Sequence, residues 1–256
     1  MRRFTSLAVI ALSAGIAATS SAASADYNWT GFYLGGNIGG AWGSFDPKTT
    51  TPGDRAGEFD PTSITAFNAA GNQYINPGAF TFGFETGYNW QVSALVAGLE
   101  SDIESFQLRG SATSGPVVYP CCAPSTFTVS SSASTSWLAT LRGRVGFAAD
   151  NWLFYYTGGA AFTTLQGSFS FSETFYNAPA ESASLSSAKG GYTVGGGVEA
   201  AFWQHWSFKA EYLYVNFGTV TTTGIYGPPV LVSPLPFAHI IDLRSNIVRL
   251  GVNYHF

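Results

Sequence analysis

Apolar and aromatic residues recur at every second position in eight separate stretches of the chain. Residues 30–43 set Phe32, Leu34, Ile38 and Trp42 on one face and Tyr33, Gly35, Asn37 and Gly39 on the other. Residues 79–90 oppose Phe80, Phe82, Phe84, Tyr88 and Trp90 to Thr81, Gly83, Glu85, Gly87 and Asn89. Residues 94–106 oppose Leu95, Ala97, Leu99 and Ile103 to Gly98, Glu100, Asp102 and Glu104; residues 136–148 oppose Trp137, Ala139, Leu141, Val145 and Phe147 to Thr140, Arg142, Arg144 and Gly146. Residues 152–165 are apolar on both faces, so their phase stays open. Residues 190–202 oppose Tyr192, Val194, Val198 and Phe202 to Thr193, Gly195, Gly197 and Glu199. Residues 206–218 begin with Phe208, Ala210, Tyr212 and Tyr214 against Lys209 and Glu211, then lose phase. Residues 246–256 oppose Val248, Leu250, Val252, Tyr254 and Phe256 to Arg249, Gly251, Asn253 and His255. A period of two is the mark of a β-strand with two unlike faces.

The connections alternate in length without exception. Residues 91–93, 149–151 and 203–205 are tight turns, whereas 44–78, 107–135, 166–189 and 219–245 are long, polar and rich in Ser, Thr, Gly and Pro. The pattern predicts an all-β fold: an eight-stranded antiparallel transmembrane β-barrel with short periplasmic turns and four long extracellular loops. Composition agrees. Of 256 residues only 10% are charged, 16% are aromatic and 30 are Gly, against roughly 25% charged in an ordinary soluble domain. So much apolar material excludes a disordered chain. Eleven Lys and Arg at a net charge of −4 argue against nucleic acid as a partner.

The charges decide which face meets what. A soluble barrel would turn its apolar face inward and show water a surface of Gly, Asn and Thr nearly free of Lys, which is unusual. In a membrane barrel the apolar face meets lipid and the charges point into the lumen, where they must pair. Glu85, Glu100, Asp102, Glu104, Glu199 and Glu211 are then inward, with Arg142, Arg144, Lys209 and Arg249 to compensate them. Arg142 and Arg144 are expected to face Glu100, Asp102 and Glu104 on the adjacent strand. Trp29, Trp90, Trp152, Trp203 and Trp206 fall at the short-turn ends of strands and Trp42 and Trp137 at the long-loop ends, as two interfacial belts would place them.

Residues 1–25 read as a secretory signal peptide: Arg2 and Arg3, an apolar stretch from Phe4 to Ala18, and an Ala23-Ser24-Ala25 cleavage site, so cleavage is expected between Ala25 and Asp26. The barrel domain would then occupy 26–256. Cys121 and Cys122 are adjacent in the second long loop, between Pro120 and Pro124. They can form a vicinal disulfide in an oxidising compartment or link to another molecule. Pro228, Pro229, Pro234 and Pro236 are expected to keep 219–239 out of strand interiors. The glycine runs 35–40 and 195–197 lack the following helix and Lys-Ser/Thr pair of a phosphate loop. No metal-ligand spacing is present, and no cofactor is expected. His239 and Asp242, three apart, are the one pair that could suggest catalysis, and without a nucleophile at readable spacing no enzyme is expected.

Several motifs carry a family resemblance: Asn28-Trp29-Thr30-Gly31-Phe32-Tyr33, the run from Gly35 to Gly40, Tyr155 to Ala161, Glu211-Tyr212-Leu213-Tyr214, and the ending Val248 to Phe256. The chain resembles the alphaproteobacterial outer-membrane immunogenic protein (RopB-type) family, among the opacity-protein-like and porin-like barrels. It departs from many relatives in lacking a Pro-rich spacer before the first strand. The resemblance implies an abundant surface protein of the cell outer membrane, structural or antigenic. It also implies that Phe256, with Tyr254 and Val252, forms the signal read by the barrel assembly machinery. Expected partners are outer-membrane lipid and lipopolysaccharide, and a monomer is expected. Eight strands enclose a space that side chains can fill, so the leading expectation is a structural surface protein; a small, low-conductance channel is the alternative.

Overall fold

The computed structural model describes residues 27–53, 57, 59–176, 179–227 and 233–256. The expected signal peptide, its cleavage site at Ala25 and Asp26, and Pro228 and Pro229 lie outside the described residues. Along the chain come β1 (Gly31–Phe45), β2 (Lys48–Thr50), α1 (Pro61–Ala70), β3 (Gly78–Val92), β4 (Leu95–Ser105), β5 (Arg109–Thr113), β6 (Val117–Val118), β7 (Thr126–Ala149), β8 (Trp152–Glu173), β9 (Glu181–Trp203), β10 (Trp206–Tyr226) and β11 (Leu235–His255). Eight of them close a ring in the order β1-β3-β4-β7-β8-β9-β10-β11, and β11 pairs back onto β1. Closure leaves no edge within the membrane, where an unpaired backbone group would cost several kcal/mol. The short strands β2, β5 and β6 hang on β11 and β7 above the ring.

Turns at residues 93–94, 150–151 and 204–205 gather at one end with Trp29 and His255, the periplasmic end in barrels of this kind. Facing lipid are Trp90, Leu95, Trp152, Trp203 and Trp206 near that end, then Leu34, Phe84, Leu99, Leu141 and Leu250, then Trp42, Phe80, Trp137 and Tyr192. Trp29 is the exception. It is fully buried, packed edge-on to Tyr27 and His255 inside the barrel. It therefore corks the periplasmic end and is not part of the interfacial belt.

The strands run well beyond the predicted limits. β7 to β11 are 24, 22, 23, 21 and 21 residues long, whereas about 9–11 suffice to span the bilayer. On β8 the outward residues change from Trp152, Phe154, Tyr156 and Phe162 to Thr164, Gln166, Ser168, Ser170 and Ser172. Much of the sequence expected as loop is thus barrel wall standing above the membrane as a collar, its outer face polar because water replaces lipid. Pro236 pairs with Ile225 inside this collar. It is the second residue of β11, before β2 begins to pair at Ala238, an edge position that tolerates a missing N–H.

The first long connection holds α1. Asp60 accepts from the backbone N–H of Thr62 and Ser63, Pro61 opens the first turn, and Gly71 caps the end, a start and stop set by local chemistry. Buried Phe67 turns the helix toward the barrel mouth, where it packs with Phe127, Phe171 and Tyr119.

Candidate functional site

A channel would have to run through the lumen, and alternation decides what enters it. Register places opposite charges across adjacent strands: Glu100 beside Arg142, Glu199 beside Lys209, and Glu211 beside Arg249. Glu85 and Asp102 face each other as like charges, an arrangement that destabilises unless other groups compensate it. Lys209 Nζ lies 2.6 Å from Glu85 and Arg142 Nη2 2.7 Å from Asp102. Arg142 also bonds Glu100 and lies 3.1 Å from Glu211. Arg144 bridges Glu199 at 2.8 Å and Glu100 at 3.3 Å. Glu104, expected to face Arg142 or Arg144, is instead met at 3.3 Å by Arg249. Arg249 reaches further acids at 2.7 Å (Glu211) and 3.0 Å (Asp102). All ten inward charges are buried in one mesh.

Two tyrosines complete it: Tyr33, which alternation placed inward without a role, and Tyr155, from the stretch whose phase the sequence left open. Tyr33 donates to Glu100 at 2.6 Å and accepts from Arg144 at 3.0 Å; Tyr155 donates to Glu211 at 2.9 Å, with the Arg144 guanidinium 4.1 Å above its ring. Their room comes from glycine. A Cβ at Gly87 would stand 2.4 Å from the Tyr33 hydroxyl, and one at Gly197 would stand 2.6 Å from that of Tyr155. At these two inward glycines the missing side chain is replaced by a ring, a device that also stabilises strand glycines.

Above the mesh the interior turns apolar. Phe45, Phe106, Leu108, Leu138, Leu165 and Phe169 belong to one buried cluster with Leu213, Val215, Leu243 and Ile247. Over it lies an aromatic lid in which Phe67 meets Phe127 and Phe171, and Phe171 meets Tyr226 and Phe237. From Trp29 to Phe67 the barrel is packed like a soluble core.

His239 and Asp242 are not a pair: both lie on β11, three residues apart, and so on opposite faces. His239 is inward and stacked 4.5 Å from Phe169, whereas Asp242 bonds Arg244. The residues His239 does contact form a hydroxyl–imidazole–carboxylate line, with Thr49 Oγ1 2.9 Å from Nδ1 and Glu181 Oε1 3.2 Å from Nε2. All three are 3% exposed or less, so a reactant has no access to the hydroxyl, and the line ties β2, β9 and β11 together. His255 contacts Ser207 at 3.0 Å and Glu199 at 3.3 Å, near the Trp29 cork. Among the described residues no group of three His, Cys, Asp or Glu is placed to hold a metal ion.

The predicted terminal residues lie on the lipid side: Phe256 is 69% exposed, Val252 outward, and the Tyr254 ring touches those of Phe256 and Trp206. Cys121 and Cys122 are joined by a disulfide beside α1, where the Ser63 hydroxyl lies 3.7 Å from the Cys121 sulfur. Burial, reinforced by Glu173, pushes the neighbouring Tyr119 hydroxyl well above the usual phenol range.

Comparison with known proteins agrees with this architecture. The chain is 29% identical over 232 residues to the 31 kDa outer-membrane immunogenic protein of Brucella melitensis, covering 90% of this chain and 85% of that one. It is 28% identical over 190 residues to a 22 kDa outer membrane protein of Rhizobium leguminosarum, covering 74% and 65%. Among solved structures, OprG of Pseudomonas aeruginosa aligns over 91% of this chain and all of its own at 12% identity and a TM-score of 0.45. The outer membrane protein beta-barrel domain matches residues 9–256, so the chain belongs to that family of outer-membrane barrels, alongside the alphaproteobacterial immunogenic proteins.

Proposed function

We propose that this outer-membrane barrel is a sealed structural protein. On this reading it carries a rigid collar at the cell surface, contributes to envelope integrity, and neither conducts solutes nor catalyses a reaction. The observation that supports it is the continuous packing of the lumen. The Trp29 cork, the charged mesh, the apolar cluster and the Phe67 lid follow one another with fully buried side chains at each level. Eight strands leave about enough interior for side chains alone. Any water path would have to break a mesh of buried ion pairs, which costs several kcal/mol per uncompensated charge.

The partners follow from the same surfaces. The lipid-facing band meets acyl chains, the polar collar stands at the height of the lipopolysaccharide sugars, and Phe256 with Tyr254 and Val252 is the segment offered to the barrel assembly machinery. The test is single-channel recording on a refolded barrel whose folding is confirmed by heat-modifiable gel mobility. Silence is expected. Discrete steps that scale with salt would overturn the reading in favour of a small channel.

A further inference from the structure

The outer mouth holds a second structure that the sealed barrel does not require. Five aromatic rings form a closed circuit of contacts: Phe59 to Phe67 at 5.6 Å, Phe67 to Tyr119 at 5.7 Å, Tyr119 to Phe175 at 6.1 Å, Phe175 to Tyr176 at 4.8 Å, and Tyr176 back to Phe59 at 5.5 Å. Four of these rings, with Asp60 and the Cys121–Cys122 disulfide, line a cavity of about 290 Å³ beside α1. That size falls at the low end for a small-molecule site. Phe175 is 47% exposed, so the cavity opens to the outside of the cell.

Among the described residues its electrostatics are one-sided. Glu173 is buried beneath the rings, where its carboxylate accepts from the Tyr226 hydroxyl and the backbone N–H groups of Phe175 and Tyr176. Asp60, on the cavity wall, accepts from Thr62 and Ser63. Every donor is neutral. Among the described residues no lysine or arginine pairs with either acid, whereas each inward acid of the lumen mesh has a cationic partner. The Tyr119 hydroxyl is buried at the same cavity without a hydrogen-bond partner among the described residues. Ring faces carry negative potential and attract a cation held over them. Two carboxylates lacking a cationic partner among the described residues add to that field.

We propose that this cavity is a binding site for a small organic cation of the quaternary ammonium class, held by the ring faces of Phe59, Tyr119, Phe175 and Tyr176 with Asp60 supplying charge. The site reads an apolar, positively charged head. It is independent of whether the lumen conducts.

The test uses protein purified from outer membranes in a maltoside detergent, free of choline-type headgroups. Saturation transfer is measured to the methyl protons of choline and to those of 3,3-dimethylbutanol, its uncharged isostere. Choline is expected to receive saturation and to bind at least about threefold tighter than the isostere, the low end of a cation–ring contribution. Phe175→Leu, at an exposed position, and Asp60→Asn, which keeps the helix cap, are each expected to weaken choline and leave the isostere unchanged. Equal binding of the two probes would mean an apolar cleft and overturn the proposal. So would the absence of transfer to choline at concentrations on the order of 10 mM, a weak-affinity limit of about −3 kcal/mol. Wild-type choline binding in both folded variants would do the same.

Discussion

Arg249 on β11 reaches across the lumen to Asp102 on β4, Nη2 to Oδ2 at 3.0 Å, although three strand-to-strand steps separate the two around the wall. The same guanidinium holds Glu104 and Glu211, so one side chain ties opposite sides of the barrel. Replacing it by methionine keeps the stem and leaves three acids short of a partner. Arg249→Met is expected to destabilise the folded barrel by about 3 kcal/mol or more, the cost of breaking a buried pair. Urea titration followed by tryptophan fluorescence and heat-modifiable mobility reads it. An unshifted midpoint would mean that the mesh carries no net stability.

Much of this interior can be read from alternation, because Gly, Glu and Arg on the inner face contrast with Phe and Leu on the outer. Legibility fails where the two faces stop differing. Along 152–165 the inner positions are Leu153, Tyr155, Ala161 and Leu165, as apolar as the lipid face outside them. The phase of β10 is lost for the same reason at Leu213 and Val215 and then reverses at a bulge between Asn216 and Gly218, Gly218 taking a φ of +65°. β7 shifts likewise between Thr135 and Leu138. An inserted residue swaps the faces, and a period-two reading has no means of seeing it. The collar escapes notice because its polarity is reversed: on β8 Phe169 and Phe171 face inward while Ser168, Ser170 and Ser172 face water, so a Ser-rich stretch reads as loop. The start of α1 could have been found: Asp60-Pro61 is an N-cap followed by proline at the first helical position, a start signal. No sequence distance reveals the cage, which joins residues 59, 119 and 176 through the fold.

Phe67 anchors α1 over the mouth, yet the apolar cluster beneath it also closes the lumen. Truncating it separates the two roles. Phe67→Ala is expected to cost about 3–5 kcal/mol locally, as for a buried aromatic cut to alanine. Protease cleavage within 44–78 should accelerate while planar-bilayer recordings stay silent. Conductance in this variant would show that the lid, and not the deeper packing, is what seals the barrel.

The cap of α1 is pH-dependent. Hydrogen bonds from Ser63 and then Thr62 hold the Asp60 carboxyl down at about 2, below its ordinary value of 3.8. A depressed folded value means that the cap's contribution is complete above about pH 4 and is lost as pH falls through about 2. The amide resonances of Thr62 and Ser63 should titrate with a midpoint near that lower value and stay flat above pH 5. Asp60→Asn, which caps without ionising, should abolish the titration and keep the helix. A midpoint at the ordinary carboxyl value would mean that the cap is not formed in solution.

The boundary between membrane band and collar makes a quantitative contrast. Leu141 and Ser170 are both outward on neighbouring strands, β7 and β8, but Leu141 sits in the lipid-facing band, 59% exposed, while Ser170 lies in the polar stretch above Phe162. A cation on the lipid face near the midplane costs about 2–4 kcal/mol, and one beyond the interface costs roughly nothing. Leu141→Arg is therefore expected to lower the unfolding free energy in lipid vesicles by that amount, and Ser170→Arg to leave it unchanged. The same pair in detergent should differ less, because a micelle deforms around a charge. If Ser170→Arg proved as costly as Leu141→Arg, the upper half of β8 would have to lie within the bilayer, and the long strands would be spanning membrane and not standing above it.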